Sequence, residues 1–160
     1  MRGRRPRASQ ARPSPSSCVR RIKPDATLDE EWAPDLSAWT EGRPVHVFRY
    51  MRAGKALGTV LHVDEVDIDF TSGYDPDEAA LLDEHWRLWL FDLEAQSARP
   101  VENIQGIGRG WFWANFEGRT FVFVPNADWS RSTVFELDTD GNATERFQSN
   151  GFINDWIRIR

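Results

Sequence analysis

The stretches LWLFDL, residues 88–93, and STVFEL, residues 132–137, decide the fold. Each is a short, mainly apolar strand pattern that ends in an acid–leucine step and precedes a polar turn and a second short strand pattern. They lie 44 residues apart, and one four-stranded propeller blade spans roughly 40–50 residues. The repeat therefore predicts a propeller-type architecture, although it indicates little about chemistry.

Matching strand patterns surround both stretches. Residues 45–51 and 56–63 predict a hairpin that turns at Gly54, and residues 111–116 and 120–124 predict one that turns at Gly118. Further short strands are predicted at 18–22, 31–36, 133–137, 143–147 and 152–159. We therefore expect an all-β fold, a partial β-propeller of about three four-stranded, blade-like antiparallel units.

The number of units bears on assembly. Propellers need roughly four to eight blades to remove their exposed sheet edges. Because this sequence supplies about three, we expect a truncated propeller, a homo-oligomer that completes the ring between chains, or an open stack of sheets.

Charge divides the chain into a tail and a domain. Residues 1–23 carry eight basic side chains and no acidic ones, whereas the remainder carries 12 basic and 25 acidic side chains. Residues 1–17 have too few large apolar side chains to form a core, so we predict a disordered basic tail before a domain at 18–160. The acidic domain argues against nucleic acid as a partner. No apolar run is long enough for a transmembrane helix, and no apolar core follows Arg4 and Arg5 as an export signal requires.

An acidic insertion is predicted at about 64–84. The two hairpin turns are 64 residues apart rather than 44, and the extra residues are rich in Asp and Glu. Asp77 could cap a short helix that ends at Asp83. Insertions on one face of a repeat fold often bind partners, so Asp75 and Asp77 are candidate ligand contacts. The acidic residues could also hold a cation, but a solvated loop is the preferred interpretation.

Motifs for catalysis or cofactor binding are weak. Asp138, Asp140 and Asn142 match the start of a calcium loop, but the glycine and the glutamate required later are missing, so an ordinary hairpin turn is predicted. The glycines at 106–110 precede a strand pattern rather than the helix that a dinucleotide site needs. The three histidines and Cys18 have no partners at suitable spacing. We therefore assign no catalytic residue, metal ligand or cofactor.

Tryptophan is unusually abundant, with eight residues. Most of these rings are expected to fill the blade core. Trp111 and Trp113 should face one side of their strand and Phe112 the other. Trp129, in the loop after residue 125, would be free to stack on a ligand if it is exposed. We take Trp129 and Trp111 as tentative ligand contacts.

Several segments together resemble a known group of proteins. These are CVRRI at 18–22, DLSA at 35–38, EGRP at 41–44, GKA at 54–56, GRTFVFVP at 118–125, and STVFEL. They are similar to the C-terminal half of propeller-like proteins, with a domain of unknown function, encoded near myxochelin-type siderophore genes in myxobacteria. The resemblance implies a six- or seven-bladed-type propeller in an exported, lipid-anchored protein of the periplasm or cell envelope, with a role in iron–siderophore handling. This chain departs from that pattern because it lacks the export signal and the N-terminal blades, and no functional residue carries over.

These observations favour a non-catalytic binding or interaction module for a small ligand or a protein. One alternative is a metal-dependent propeller hydrolase or lactonase with a carboxylate-bound metal in a central channel. Another is a non-functional, truncated gene product.

Overall fold

The fold is all-β, as predicted. A computed structural model of the chain describes residues 19–62, 85–104, 106–107, 111–126 and 128–153. These residues form three antiparallel sheets of two, four and four strands, and one short helix. No helix in this part of the chain is long and apolar enough to cross a membrane. The predicted tail at 1–17 and the acidic insertion at 64–84 lie outside the described residues.

The N-terminal segment differs from its prediction. It forms a minimal hairpin of β1 (Arg21–Ile22) and β2 (Leu28–Asp29), followed by helix α1 (Leu36–Trp39). The prediction of a strand at 31–36 is therefore wrong. The Asp35 side chain accepts a hydrogen bond from the Ser37 amide at 3.0 Å and caps the helix, which favours a helical start over an extended backbone.

The two larger sheets are meanders whose strands neighbour each other in chain order. The first contains β3 (Val45–Arg52), β4 (Lys55–Leu61), β5 (Trp86–Asp92) and β6 (Ser97–Pro100). The second contains β7 (Phe112–Phe116), β8 (Arg119–Pro125), β9 (Arg131–Leu137) and β10 (Ala143–Asn150). Both predicted hairpins are confirmed.

The first hairpin of each sheet has the same two-residue turn. Ala53 and Gly54 have φ values of +46° and +71°, and Glu117 and Gly118 have φ values of +48° and +73°. Positive φ at both central residues defines a type I′ turn, whose twist matches that of the flanking strands. Glycine at the second position removes part of the steric cost of this conformation.

The register shows that the repeat is offset by 46 residues rather than 44. Lys55 is the first residue of β4 and pairs with Asp92. Its equivalent, Arg119, is the first residue of β8; because the next residue, Thr120, pairs with Leu137, Arg119 lies level with Asp138. Asp92 therefore corresponds to Asp138 and not to Glu136. The difference of two residues preserves the alternation of a strand, so either offset matches side chains that lie on the same face.

The two meanders stack front to back, so that one face of the first sheet contacts the opposite face of the second. In β4, Leu57 faces the second sheet, but the equivalent Phe121 in β8 faces away from the first sheet. In β5, Phe91 lies on the outer face, whereas its equivalent Leu137 faces the first sheet. Opposite faces of the repeat therefore meet, as they do when successive blades stack.

A central core lies between the sheets. Its buried members are Met51, Leu57, Leu88, Leu90, Val101, Ile104, Ile107, Trp111, Val122, Val124, Leu137 and Ala143. Two further clusters occupy the outer faces. Leu36, Trp39 and Val19 help to cover the first sheet, and Ile153 packs beside Phe123 on the second.

Candidate ligand-binding surfaces

The loop between β8 and β9 presents Trp129 to solvent. Its side chain is 46% exposed, and its φ is +61°. A bulky residue rarely adopts a positive φ, so the surrounding loop must hold it there. The Trp129 amide donates to the Asn126 carbonyl at 3.0 Å, and the Arg131 amide donates to the Asn126 side chain at 2.9 Å.

A second aromatic ring completes this surface. Phe152, which is 36% exposed, lies with its ring centroid 4.6 Å from that of Trp129. The Gly151 amide donates to the Ser130 carbonyl at 2.6 Å, and the Ser132 hydroxyl donates to the Gly151 carbonyl at 2.9 Å. These bonds tie the segment after β10 to the loop. We call the Trp129–Phe152 pair the loop aromatic pair.

An acidic side chain also stabilises the loop. Asp128 accepts a hydrogen bond from the Ser130 amide at 3.0 Å. Hydrogen bonds from the side chain and the backbone of Ser130 lower the Asp128 pKa. The described part of the loop is therefore held in place by its own hydrogen bonds.

The other predicted contacts do not join this surface. Trp111 is 8% exposed and packs in the central core, with Trp113 against the same core and Phe112 on the opposite face. This arrangement confirms the predicted faces of β7. Asp75 and Asp77 lie outside the described residues.

A larger concavity, the aromatic cleft, lies on the outer face of the first sheet. Its volume is about 590 Å³, which is within the range of small-molecule sites. The cleft is lined by Val19, Arg20, Arg21, Trp32, Phe48, Tyr50, Gly54, Leu93 and Glu94. Four separate segments supply these residues, and the lining combines three aromatic residues with two arginines.

Packing and hydrogen bonds hold the rings of the cleft. Phe48 contacts the fully buried Phe91 edge-to-face, with ring centroids 5.2 Å apart. Tyr50 is 58% exposed, and its hydroxyl accepts a hydrogen bond from the Gly54 amide at 3.4 Å. Tyr50 thus presents a ring to solvent while its hydroxyl is anchored at the β3–β4 turn.

One guanidinium group is already engaged. The Arg21 guanidinium lies 5.4 Å from the centroid of the Trp32 ring and donates to Asp29 through Nε at 2.9 Å. Hydrogen bonding from Arg21 lowers the Asp29 pKa, so this carboxylate stays ionised. Arg20 is exposed and forms no ion pair with another described residue.

A polar groove of about 260 Å³ lies where the turns of the two sheets meet. It is lined by Lys55, Leu90, Asp92, Ser97, Ala98, Arg99, Thr139 and Asp140. Lys55 pairs with Asp92, and the Asp92 pKa is lowered first by the Ala95 amide and then by Lys55. The opposite charges of the groove offset one another, so it has no clear preference for an ion.

The 138–142 segment forms the predicted turn. Asp138 Oδ1 accepts hydrogen bonds from the amides of Asp140 at 2.9 Å and Asn142 at 2.8 Å. A hydrogen bond from the Asn142 side chain, followed by these amide bonds, lowers the Asp138 pKa. Within the described ranges, no three His, Cys, Asp or Glu residues form a group that could hold a metal ion.

The sequence analysis named Trp129 as a tentative ligand contact, and it missed the aromatic cleft. Phe48 and Tyr50 alternate on an edge strand, and this spacing was a local signal for two rings on one face. Trp32 and Glu94 come from distant segments, so only the fold brings them together.

No family model matches the chain, and no curated protein or solved structure is significantly similar to it.

Proposed function

We propose that this chain is a non-catalytic binding module built from propeller-type blades, and that the loop aromatic pair contacts its ligand. The observation that carries the proposal is Trp129, a large ring held half-exposed in a strained backbone conformation. Such strain costs on the order of 1–3 kcal/mol and persists where the surrounding structure maintains it, often at ligand-binding positions. Phe152 beside it extends the surface on which a planar group can stack.

The proposed ligand is a ferric catecholate siderophore. The sequence resemblance supports this choice, and the chemistry of the surface is compatible with it, because catechol rings can stack on indole and phenyl rings. The ligand would therefore be recognised by its aromatic arms rather than through direct coordination of the iron.

Titration with a ferric catecholate tests this proposal. Saturable quenching of tryptophan fluorescence is expected, after correction for the inner-filter effect with free N-acetyltryptophanamide. The Trp129→Leu substitution should weaken binding by about tenfold, since stacking on one aromatic ring contributes roughly 1–3 kcal/mol. Calorimetry measures that change independently of the fluorescence of the other tryptophans.

Trp32→Leu is the matched control, because Trp32 lies in the aromatic cleft and not in the loop. It should leave the affinity for the ferric complex unchanged. Absence of saturable quenching beyond the inner-filter effect would refute the siderophore proposal. Equal loss of affinity in both variants would contradict the assignment to Trp129.

The propeller architecture and self-association are the second part of the proposal. The front-to-back stacking of the two meanders supports blades, and further copies of the chain could supply the blades that a ring requires. Val19, Leu36 and Trp39 occupy the outer face of the first sheet, so ring formation would require their displacement. Light scattering behind size exclusion should give a discrete dimer or trimer of the full chain, and a monomer at all concentrations would exclude the shared ring.

A further inference from the structure

We infer that the aromatic cleft is a second binding site, separate from the loop aromatic pair, for a planar aromatic molecule that carries a carboxylate. The two sites share no residue and lie on different sheets. The inference therefore does not depend on the siderophore proposal. It is based on the rings, the charges and the anchoring of the cleft.

The walls of the cleft favour a planar aromatic group. Trp32, Phe48 and Tyr50 line it together, and aliphatic side chains at Val19 and Leu93 complete the apolar part. Phe48 packs against Phe91 on the outer face of the first sheet and the Tyr50 hydroxyl is hydrogen-bonded, so these two rings need little further ordering when a ligand enters. Such preorganisation reduces the entropy cost of binding.

The charges of the cleft favour a carboxylate. Asp29 neutralises Arg21 and keeps its guanidinium against Trp32. Arg20 has no such partner among the described residues, so its positive charge is available to an anion. Guanidinium binds a carboxylate through two parallel hydrogen bonds, which also orient the ligand.

Glu94 gives the cleft a direction. Its side chain lies beside Gly54, where a Cβ atom built on the glycine would be 3.4 Å from Glu94 Cγ. A carboxylate there repels an anionic group, so the ligand's acid should turn away from the β3–β4 turn and toward Arg20. Removal of this charge should tighten the binding of a simple carboxylate.

A pair of isosteric probes tests the inference on the full chain: 2-naphthoate, which is anionic, and 2-naphthamide, which is neutral. A ligand of about a dozen heavy atoms should bind with a Kd of roughly 1 mM. At about 5 mM, naphthoate should shift the NMR signals of the Trp32 indole and of residues 48–54 and 93–94. Naphthamide should bind about tenfold more weakly, because it lacks the charge-assisted pair with Arg20.

Substitutions complete the test. Arg20→Gln should reduce naphthoate affinity to that of naphthamide, whereas Glu94→Gln should raise it by about twofold. Arg49→Gln is the matched control, since Arg49 is exposed on the same strand but alternates to the opposite face from Phe48 and Tyr50.

Four results would overturn the inference. The first is the absence of NMR shifts at this concentration. The second is equal affinity for the acid and the amide, and the third is equal losses in Arg20→Gln and Arg49→Gln. The fourth is a set of shifts centred on Trp129 rather than on the cleft, which would assign aromatic binding to the loop alone.

Discussion

At the scale of single residues, Glu136 has the most strongly lowered pKa among the acids that the structure describes. It accepts hydrogen bonds from Arg119 Nε at 2.6 Å and from Arg146 Nε at 2.7 Å. These partners, Arg119 first, lower its pKa from 4.5 to about 2. The two strands next to β9 thus each contribute a cation to one carboxylate.

The Glu136→Gln substitution should produce a pH-dependent loss of stability. Because the folded-state pKa lies below the unfolded value, the ionised carboxylate stabilises the fold above about pH 4.5, and this contribution disappears as pH falls toward 2. Both arginine side chains are about half exposed, so we expect at most about 1 kcal/mol at pH 7. This corresponds to a decrease in Tm of roughly 2–4 °C.

Thermal denaturation from pH 7 down to pH 2 measures this effect. The melting temperatures of the parent chain and the variant should converge as the pH approaches 2. A constant difference across the range would show that the ion pairs do not cause the loss. Gln148→Ala provides a control on the neighbouring β10, at a residue that pairs with Arg131 rather than Glu136.

At the scale of elements, the type I′ turns explain why the hairpins could be predicted. The turn residues and the alternating strands are adjacent in the chain, so the signal is local. The helix at 36–39 was missed because one side chain, Asp35, decides between helical and extended backbone. The aromatic cleft was missed because residues such as Arg20, Tyr50 and Glu94 meet only after the sheet has formed.

The first of these turns offers a stabilising substitution. Ala53 is exposed and has a φ of +46°, a conformation that asparagine tolerates better than alanine. Ala53→Asn should therefore raise the free energy of unfolding by about 0.5–1 kcal/mol, measured by chemical denaturation. Ala53→Val should lower it, since a branched Cβ disfavours positive φ. The prediction fails if both variants change stability in the same direction.

At the scale of the whole molecule, the central core joins the two meanders into one unit. Leu57 and Leu90 from the first sheet pack with Val122 and Leu137 from the second. The turn at Gly141 also approaches the first sheet, because a Cβ atom built there would lie 2.9 Å from Leu90 Cδ2. The sheets should therefore unfold together.

Leu90→Ala tests this coupling. Leu90 is 4% exposed in the central core, so its truncation should cost about 2–5 kcal/mol. Hydrogen exchange should accelerate in both four-stranded sheets by a similar factor. Val134→Ala, which truncates a residue of the outer cluster, is the comparison. Faster exchange in the first sheet alone after Leu90→Ala would show that the meanders unfold independently.

The segment that covers the outer face of the first sheet, which includes Leu36 and Trp39, should affect whether the chains polymerise. Opposite faces of the repeat meet in the stack, and a contact of this head-to-tail kind, if formed between chains, either closes a ring or grows without limit. Leu36 and Trp39 lie on the face where another chain would add, so we expect them to act as a stop to open-ended growth unless they are displaced, as the proposed ring requires. The double substitution Leu36→Asp, Trp39→Asp should therefore allow chains to polymerise, which turbidity that increases with protein concentration would detect. A clear solution would show that other features keep the chains apart.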